Sequence, residues 1–214
     1  MSIDKFVKAW APEPKKGIKQ RIREAFDNQP VRFKLMTANY KIRAMVTRLE
    51  AQIARLKERD AMLFERVVEA LQAGDKARAT VYAAEVAEVR KAIKQLMIVK
   101  LALEQVSLRL ETVMTLGDTM AAIAPLAGVV HELKNYIRGV MPMLSLELME
   151  LEETLNSVVA ESGEFISMSS LGATASAEAK KILREAAAIA EAKLREQFPE
   201  APLALQAEGE EAHA

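Results

Sequence analysis

The chain has 214 residues, half of them apolar but only 5% aromatic, with 8 glycines, 7 prolines and no cysteine. Wholesale disorder is excluded by that apolar content, and a disulfide framework, a thiol nucleophile or a thiolate metal site by the missing thiols. Thirty basic and thirty acidic residues cancel, yet they are sorted along the chain: residues 1–59 carry 15 against 6, residues 60–142 ten of each, and residues 143–214 carry 5 against 14.

Such blocks suggest a basic arm for an anionic surface and an acidic segment able to compete for it, the alternative being ordinary solvated helix faces. Ala, Leu, Glu, Lys, Arg and Met dominate, the composition of long helices. The longest charge-free runs, Thr119 to His131 and Phe165 to Ala177, are 13 residues each. A bilayer span needs about 20. The opening MSIDKFVKAWAPEPKKG has no apolar signal-peptide core. A cytoplasmic chain, soluble or peripheral on a membrane, is expected.

At the N-terminus, Ile3, Phe6, Val7 and Trp10 fall at i, i+3, i+4 and i+7 of a short helix that Ser2 can cap and Pro12 stops. Asp4, Lys5 and Lys8 lie off that face, and Lys15, Lys16, Lys19, Arg21 and Arg23 follow at once. An amphipathic helix with the single tryptophan, backed by cations, is suited to anchoring at an anionic lipid interface. The alternative is a helix docked on the chain's own body. Nucleic acid is not expected as a partner, because the cluster lacks interleaved aromatics beyond Trp10 and the pI is only 6.8.

From Val31 to Ala73 there is no Gly or Pro, and Ile42, Leu49, Leu56 and Leu63 recur every seven residues, with Val46, Ile53 and Val67 between them and Asp60 as the one break. Ala73-Gly74-Asp75 ends the run: Gly supplies a left-handed turn and Asp75 an N-cap for the next helix. From Lys76 to Leu116 the stripe is Tyr82, Val86, Val89, Ile93, Leu96, Val99, Leu103, Val106, Leu110 and Val113. Two helices of about 60 Å at ~1.5 Å per residue, joined by so short a turn, must lie antiparallel. The sequence therefore predicts an all-α chain with a long helical hairpin over 30–116, too narrow to enclose a pocket.

Beyond it, Gly117, Pro125, Gly128, Gly139 and Pro142 punctuate shorter helices over about 118–138 and 143–160, and are expected to act as hinges. The second carries Leu144, Leu148, Leu151, Leu155 and Val158 on one face with Glu147, Glu150, Glu152 and Glu153 beside it. Residues 161–177 read as a Ser/Gly-rich linker, and Glu178 to Gln197 as a mobile last helix with a thin stripe of Ile182, Ala186, Ile189 and Lys193 with Leu194. The organisation is thus a contact segment over 1–29, a helical core over 30–160, and a linker, helix and acidic tail over 161–214.

No catalytic, metal or cofactor site is legible. His131 and His213 lack partners at zinc or catalytic spacing, and no phosphate-cradling or nucleophile-elbow motif occurs. The adjacent acids Glu152 and Glu153 read as solvated charge.

The stretch AGDKARATVYAAEVAEVRKAIKQLMIVKLALEQVSLRLETV, Ala73 to Val113, resembles the core of ESCRT-III proteins, above all the archaeal cell-division (CdvB-like) branch. The small residues around Tyr82-Ala83, the Glu85 to Arg90 stretch and the run LALEQVSLRLET carry the likeness most, and it extends less distinctly over residues 1–160. The resemblance implies a non-enzymatic subunit that polymerises with itself and with paralogues on anionic membrane at the division site, constricts or severs membrane necks, and is remodelled by an AAA+ ATPase with an MIT domain. No winged-helix-binding extension is evident, which points to a downstream paralogue. The related phage-shock protein A class, a membrane-protective scaffold, shares much of this physics, and a coiled-coil adaptor that never meets lipid is a third reading.

Two expectations complete the sequence reading. The acidic C-terminal third folds back on the basic hairpin and restrains assembly. The ATPase's MIT domain grips the C-terminus through Leu194, Phe198, Pro199, Pro202 and Leu203, where prolines stiffen an extended strand, resembling the proline-containing MIT-interacting motif but with Ala201 in place of a larger apolar residue. The alternative is a tail whose prolines merely end a helix.

Overall fold

The structure, a computed structural model, describes residues 30–116, 122–161 and 168–198, the last segment by backbone alone up to residue 175. The described residues form five helices: α1 (Val31–Gln72), α2 (Lys76–Leu116), α3 (Ala124–Ile137), α4 (Pro142–Glu161) and α5 (Met168–Gln197).

Helix α1 starts where Pro30, which has no N–H to lose, accepts the amides of Phe33 at 2.8 Å and Lys34 at 3.2 Å on its carbonyl. It ends at Gly74, whose φ of +73° is the left-handed turn expected there. The amide of Asp75 reaches back to the Ala70 carbonyl at 2.9 Å and that of Gly74 to Leu71 at 3.0 Å, so the last carbonyls are satisfied. Asp75 then caps α2, its Oδ1 accepting the Arg78 amide at 3.0 Å.

The hairpin zips without a slip. Asp60 pairs with Arg90, Glu50 with Lys100 and Asn39 with Glu111, each pair centred on residue 75. Between these rungs Ile42, Met45, Leu49, Ile93, Leu96, Leu103 and Leu110 are fully buried. Each contributes about 1.5–3 kcal/mol of transfer free energy. The two predicted stripes face inward, Val46, Leu56, Leu63 and Tyr82 half-buried and the rest buried, and Asp60, the break in the first, is buried at 3% exposure.

Helices α3 and α4 form a second, shorter antiparallel pair laid along the hairpin. α3 begins at Ala124, later than the expected 118, with Pro125 in its first turn and the Ile123 carbonyl accepting from Leu126 and Ala127. Gly128 lies inside the helix and breaks nothing. The real turn is Arg138 to Met141, where the Ile137 carbonyl takes the amides of Val140 and Met141 and Pro142 opens α4. The predicted apolar face of α4, Leu144, Leu148, Leu151, Leu155 and Val158, is buried in full.

Helix α5 departs most from expectation. It begins at Met168 rather than Glu178, and it packs on α2 and α3 instead of standing apart. Ala179, Ile182, Ala186 and Ala190 form its buried stripe. Alanine offers little area, but it lets two helix backbones approach closely and loses almost no side-chain entropy. Arg109–Glu178 and Lys94–Glu191 ion pairs set α5 antiparallel to α2. None of the described helices is long and apolar enough to cross a membrane.

Candidate assembly surface

Three features of the folded core bear on association: a charged seam between α1 and α4, a seat for the end of α5, and exposed apolar stripes.

Residues 31–48 carry five cations and no carboxylate; residues 142–161 carry five carboxylates and no cation. The fold sets these stretches side by side and antiparallel. Lys34 pairs with Glu161, Lys41 with Glu150 at 3.5 Å, and Arg48 with Glu147 through Nη1 at 2.6 Å. The Glu147 hydrogen bond raises the Arg48 pKa, burial opposing it. Lys34 is fully buried although Glu161 is part-exposed. The other pairs stand largely in water, each worth about 0–1 kcal/mol. The fold-back expected from the charge blocks is present as geometry.

On the far side of α4, burial pushes the Glu152 carboxyl up, but hydrogen bonds from Lys134 at 2.7 Å and His131 at 2.8 Å outweigh it and hold the group below the ordinary carboxylate range. His131 is thus a structural partner of α4. Among the described residues no group of His, Cys, Asp or Glu side chains could hold a metal ion.

The end of α5 sits over the hairpin. Phe198 packs on the Arg90 guanidinium at 5.0 Å from its ring centroid, Phe64 lies at 5.6 Å from the same cation, and Asp60 holds Arg90 by Nε at 2.7 Å and Nη2 at 3.2 Å. Two shallow hollows flank Phe198, one toward Lys57 and Ala61, the other toward Lys94 and Leu194. Leu194 and Phe198 are therefore partly buried against the chain's own core. Asp60, Phe64 and Arg90 were not legible as this seat. The only signal was a carboxylate interrupting an apolar stripe.

Of the remaining predicted site residues, Ile3, Lys5, Phe6, Val7, Lys8, Trp10, Lys15, Lys16, Lys19, Arg21 and Arg23 lie outside the described residues, as do Pro199, Pro202 and Leu203.

Of the exposed large apolar side chains, Met62, Val81, Tyr136 and Ile189 stand singly and the others gather in stretches. Phe33, Met36 and Tyr40 recur on one face of α1, Leu108 and Leu116 near the end of α2, and Met143, Leu146 and Met149 on α4.

The chain is 49% identical to "Cell division protein B1" of Sulfolobus acidocaldarius over 185 residues, covering 86% of each chain. It is 38% identical to "Cell division protein B" of the same organism over 162 residues, 76% of this chain and 62% of that one. It thus spans less than two thirds of the second relative's length. No family model matches the chain, and no solved structure does. The hairpin, the shorter C-terminal helices and this identity over most of both chains place it: the chain belongs to the cell division protein B (CdvB) family, the archaeal branch of ESCRT-III.

Proposed function

We propose that the chain is a membrane-remodelling filament subunit of archaeal cell division, cytoplasmic and peripheral on the inner face of the membrane at the division site. It polymerises with itself and with paralogous subunits on anionic lipid and constricts or severs membrane necks. The relatives' names support the cell-division role. Residues 1–29, with the Ile3, Phe6, Val7 and Trp10 face and the cations after it, provide the lipid contact. An AAA+ ATPase with an MIT domain takes the C-terminus.

The observation that carries this reading is the antiparallel seam in which Lys34, Lys41 and Arg48 of α1 pair with Glu161, Glu150 and Glu147 of α4. A closure made largely of exposed ion pairs is individually weak and reversible. An anionic membrane offers the same cations a competing partner. Such a subunit can therefore be kept from assembling in solution and released at a surface.

Electron microscopy and sedimentation of the purified chain, with and without anionic liposomes, test the reading. Filaments or coated tubules on anionic vesicles are the expected result, and a chain carrying Glu147→Lys and Glu150→Lys, which opens the seam, assembles at lower concentration. A chain that floats with vesicles but never polymerises is a protective scaffold or anchor instead. A chain whose behaviour is unchanged by removing residues 1–11 and by lipid is an adaptor.

A further inference from the structure

Two charged side chains are buried among the described residues, Asp60 and Lys34, and they are buried in different ways. Asp60 is held by Arg90, whose side chain is itself only 20% exposed, inside a hairpin that the short turn at Gly74 keeps shut. Lys34 has no exposed surface, and the carboxylate it meets, Glu161, is the last residue of α4 and keeps 37% of its side chain in water. The neighbouring cations of α1 stay at the surface: Lys41, Arg48 and Arg43 have side chains 40%, 52% and 66% exposed. Around Lys34 the chain is apolar, with Leu35 and Ala38 buried on α1 and Leu155 and Val158 buried toward the end of α4.

Both charges also stand at the wrong end of their own helix. Lys34 lies in the first turn of α1, its amide bonded to the Pro30 carbonyl at 3.2 Å, where the helix macrodipole is positive. Glu161 closes α4, where the macrodipole is negative. Antiparallel packing brings each charge to the other helix's end, where its sign is right, so the pair is favourable only while the seam is shut. Against that gain stands the dehydration of an ammonium group, which a carboxylate left half in water does not fully offset. The apolar face of α4, Leu144, Leu148, Leu151, Leu155 and Val158, is buried and pulls toward closure. Without an opposing contribution it would hold α4 down firmly.

We propose that the buried amine of Lys34 is the release element of the α1–α4 seam. It counteracts enough of the apolar burial of α4 to let the seam open, and an apolar side chain in its place would lock the seam shut. The inference rests on the restraint in the filament reading and deepens it, moving the source of reversibility from the exposed pairs Lys41–Glu150 and Arg48–Glu147 to one buried charge. The two partners are not equivalent. Removing the amine leaves a carboxylate that already has water, whereas removing the carboxylate leaves an ammonium group with no exposed surface. Substitutions on the two sides of one ion pair therefore have opposite effects.

Amide exchange over residues 142–161 tests this in the full chain, without lipid and below the concentration at which it assembles. Lys34→Met keeps an unbranched side chain of similar reach and removes the charge. It should slow exchange in α4, raise the urea midpoint and raise the assembly threshold on anionic vesicles severalfold. Glu161→Gln should do the reverse on all three measurements. It also takes an acid from the negative end of α4, which by itself would slow exchange, so faster exchange reports the stranded amine. The double variant should follow Lys34→Met, and Lys41→Met, at an exposed pair, should leave exchange in α4 near that of the wild type. Faster exchange in Lys34→Met would overturn the proposal, because the pair would then be what holds the seam. Wild-type exchange in Glu161→Gln would overturn it independently of the Lys34 variant. Unchanged exchange in both, with vesicle flotation lost in Lys34→Met, would overturn it in favour of a direct lipid contact. A wild type that never assembles would reject the filament reading, and the exchange rates would still decide for or against the latch.

Discussion

Asp60 and Arg90 face each other across the hairpin, the carboxylate 3% exposed and receiving Nε at 2.7 Å, with two phenylalanine rings on the guanidinium. One ion pair thereby belongs to two structures, the hairpin below it and the end of α5 above it. Asp60→Ala takes the buried carboxylate away from a cation with little water, which costs about 3–5 kcal/mol in related settings. Urea unfolding should show that loss. The double variant Asp60→Leu, Arg90→Leu should recover most of it while still loosening α5, which separates the two roles.

Phe198→Ala removes the ring over Arg90 and the apolar cover of the two hollows. The contact is part-exposed, so about 1–2 kcal/mol is at stake, confined to the last turns of α5. Amide exchange should accelerate near residues 190–198 with the hairpin unchanged. The same residue is the centre of the expected MIT contact, so the variant should also weaken any MIT binding measured by calorimetry.

Reversing Glu147 and Glu150 together to Lys places like charges against Arg48 and Lys41. The exposed pairs contribute little to global stability, so the melting temperature should fall only a few degrees. The polymerisation threshold, read by sedimentation, should fall severalfold. Restoring opposite charge with Lys41→Glu and Arg48→Glu should raise it again.

Glu111, hydrogen-bonded by Arg43 first and then by Asn39 and Ser107, has its pKa lowered, and Lys94 and Arg195 lower that of Glu191. A lowered folded-state pKa gives stability that is full above the ordinary carboxylate value of about 4.3 and is lost as pH falls through the folded value. Thermal melts should be flat from pH 7 to about pH 5 and drop below about pH 4. In Glu111→Gln the acid-side drop should be smaller.

Leu148 is fully buried between α3, α4 and the hairpin. Leu148→Ala should cost about 2–5 kcal/mol. Chemical denaturation would show whether that loss is global or confined to the α3–α4 pair.

Much of this architecture was legible because it is local. A 3.6-residue period, one Gly at φ +73° and one Asp cap specify the hairpin without reference to the rest of the chain. The partner of Asp60 was not legible, because it stands thirty residues away on another helix and no periodicity reports a cross-helix ion pair. α5 was misjudged for a different reason. Its alanines count for little on any hydrophobicity scale, and their value lies in the close approach they allow to α2 and α3, a property of two surfaces rather than of one sequence. Gly128 and Pro125 looked like hinges. A proline in the first helical turn forfeits no hydrogen bond, and a glycine held on both sides by buried neighbours need not bend.

The clasp of Lys34 on Glu161 lies at the open end of the hairpin, whereas Phe198 rests over Asp60 and Arg90, nearer the turn. Along α1 these two points are about 40 Å apart by helical rise. The described chain therefore begins at one station of a stiff rod and ends at another. If a surface grasped the chain before Val31 with the rod upright on it, the start of the tail would stand about 40 Å from that surface, and the rod would act as a spacer.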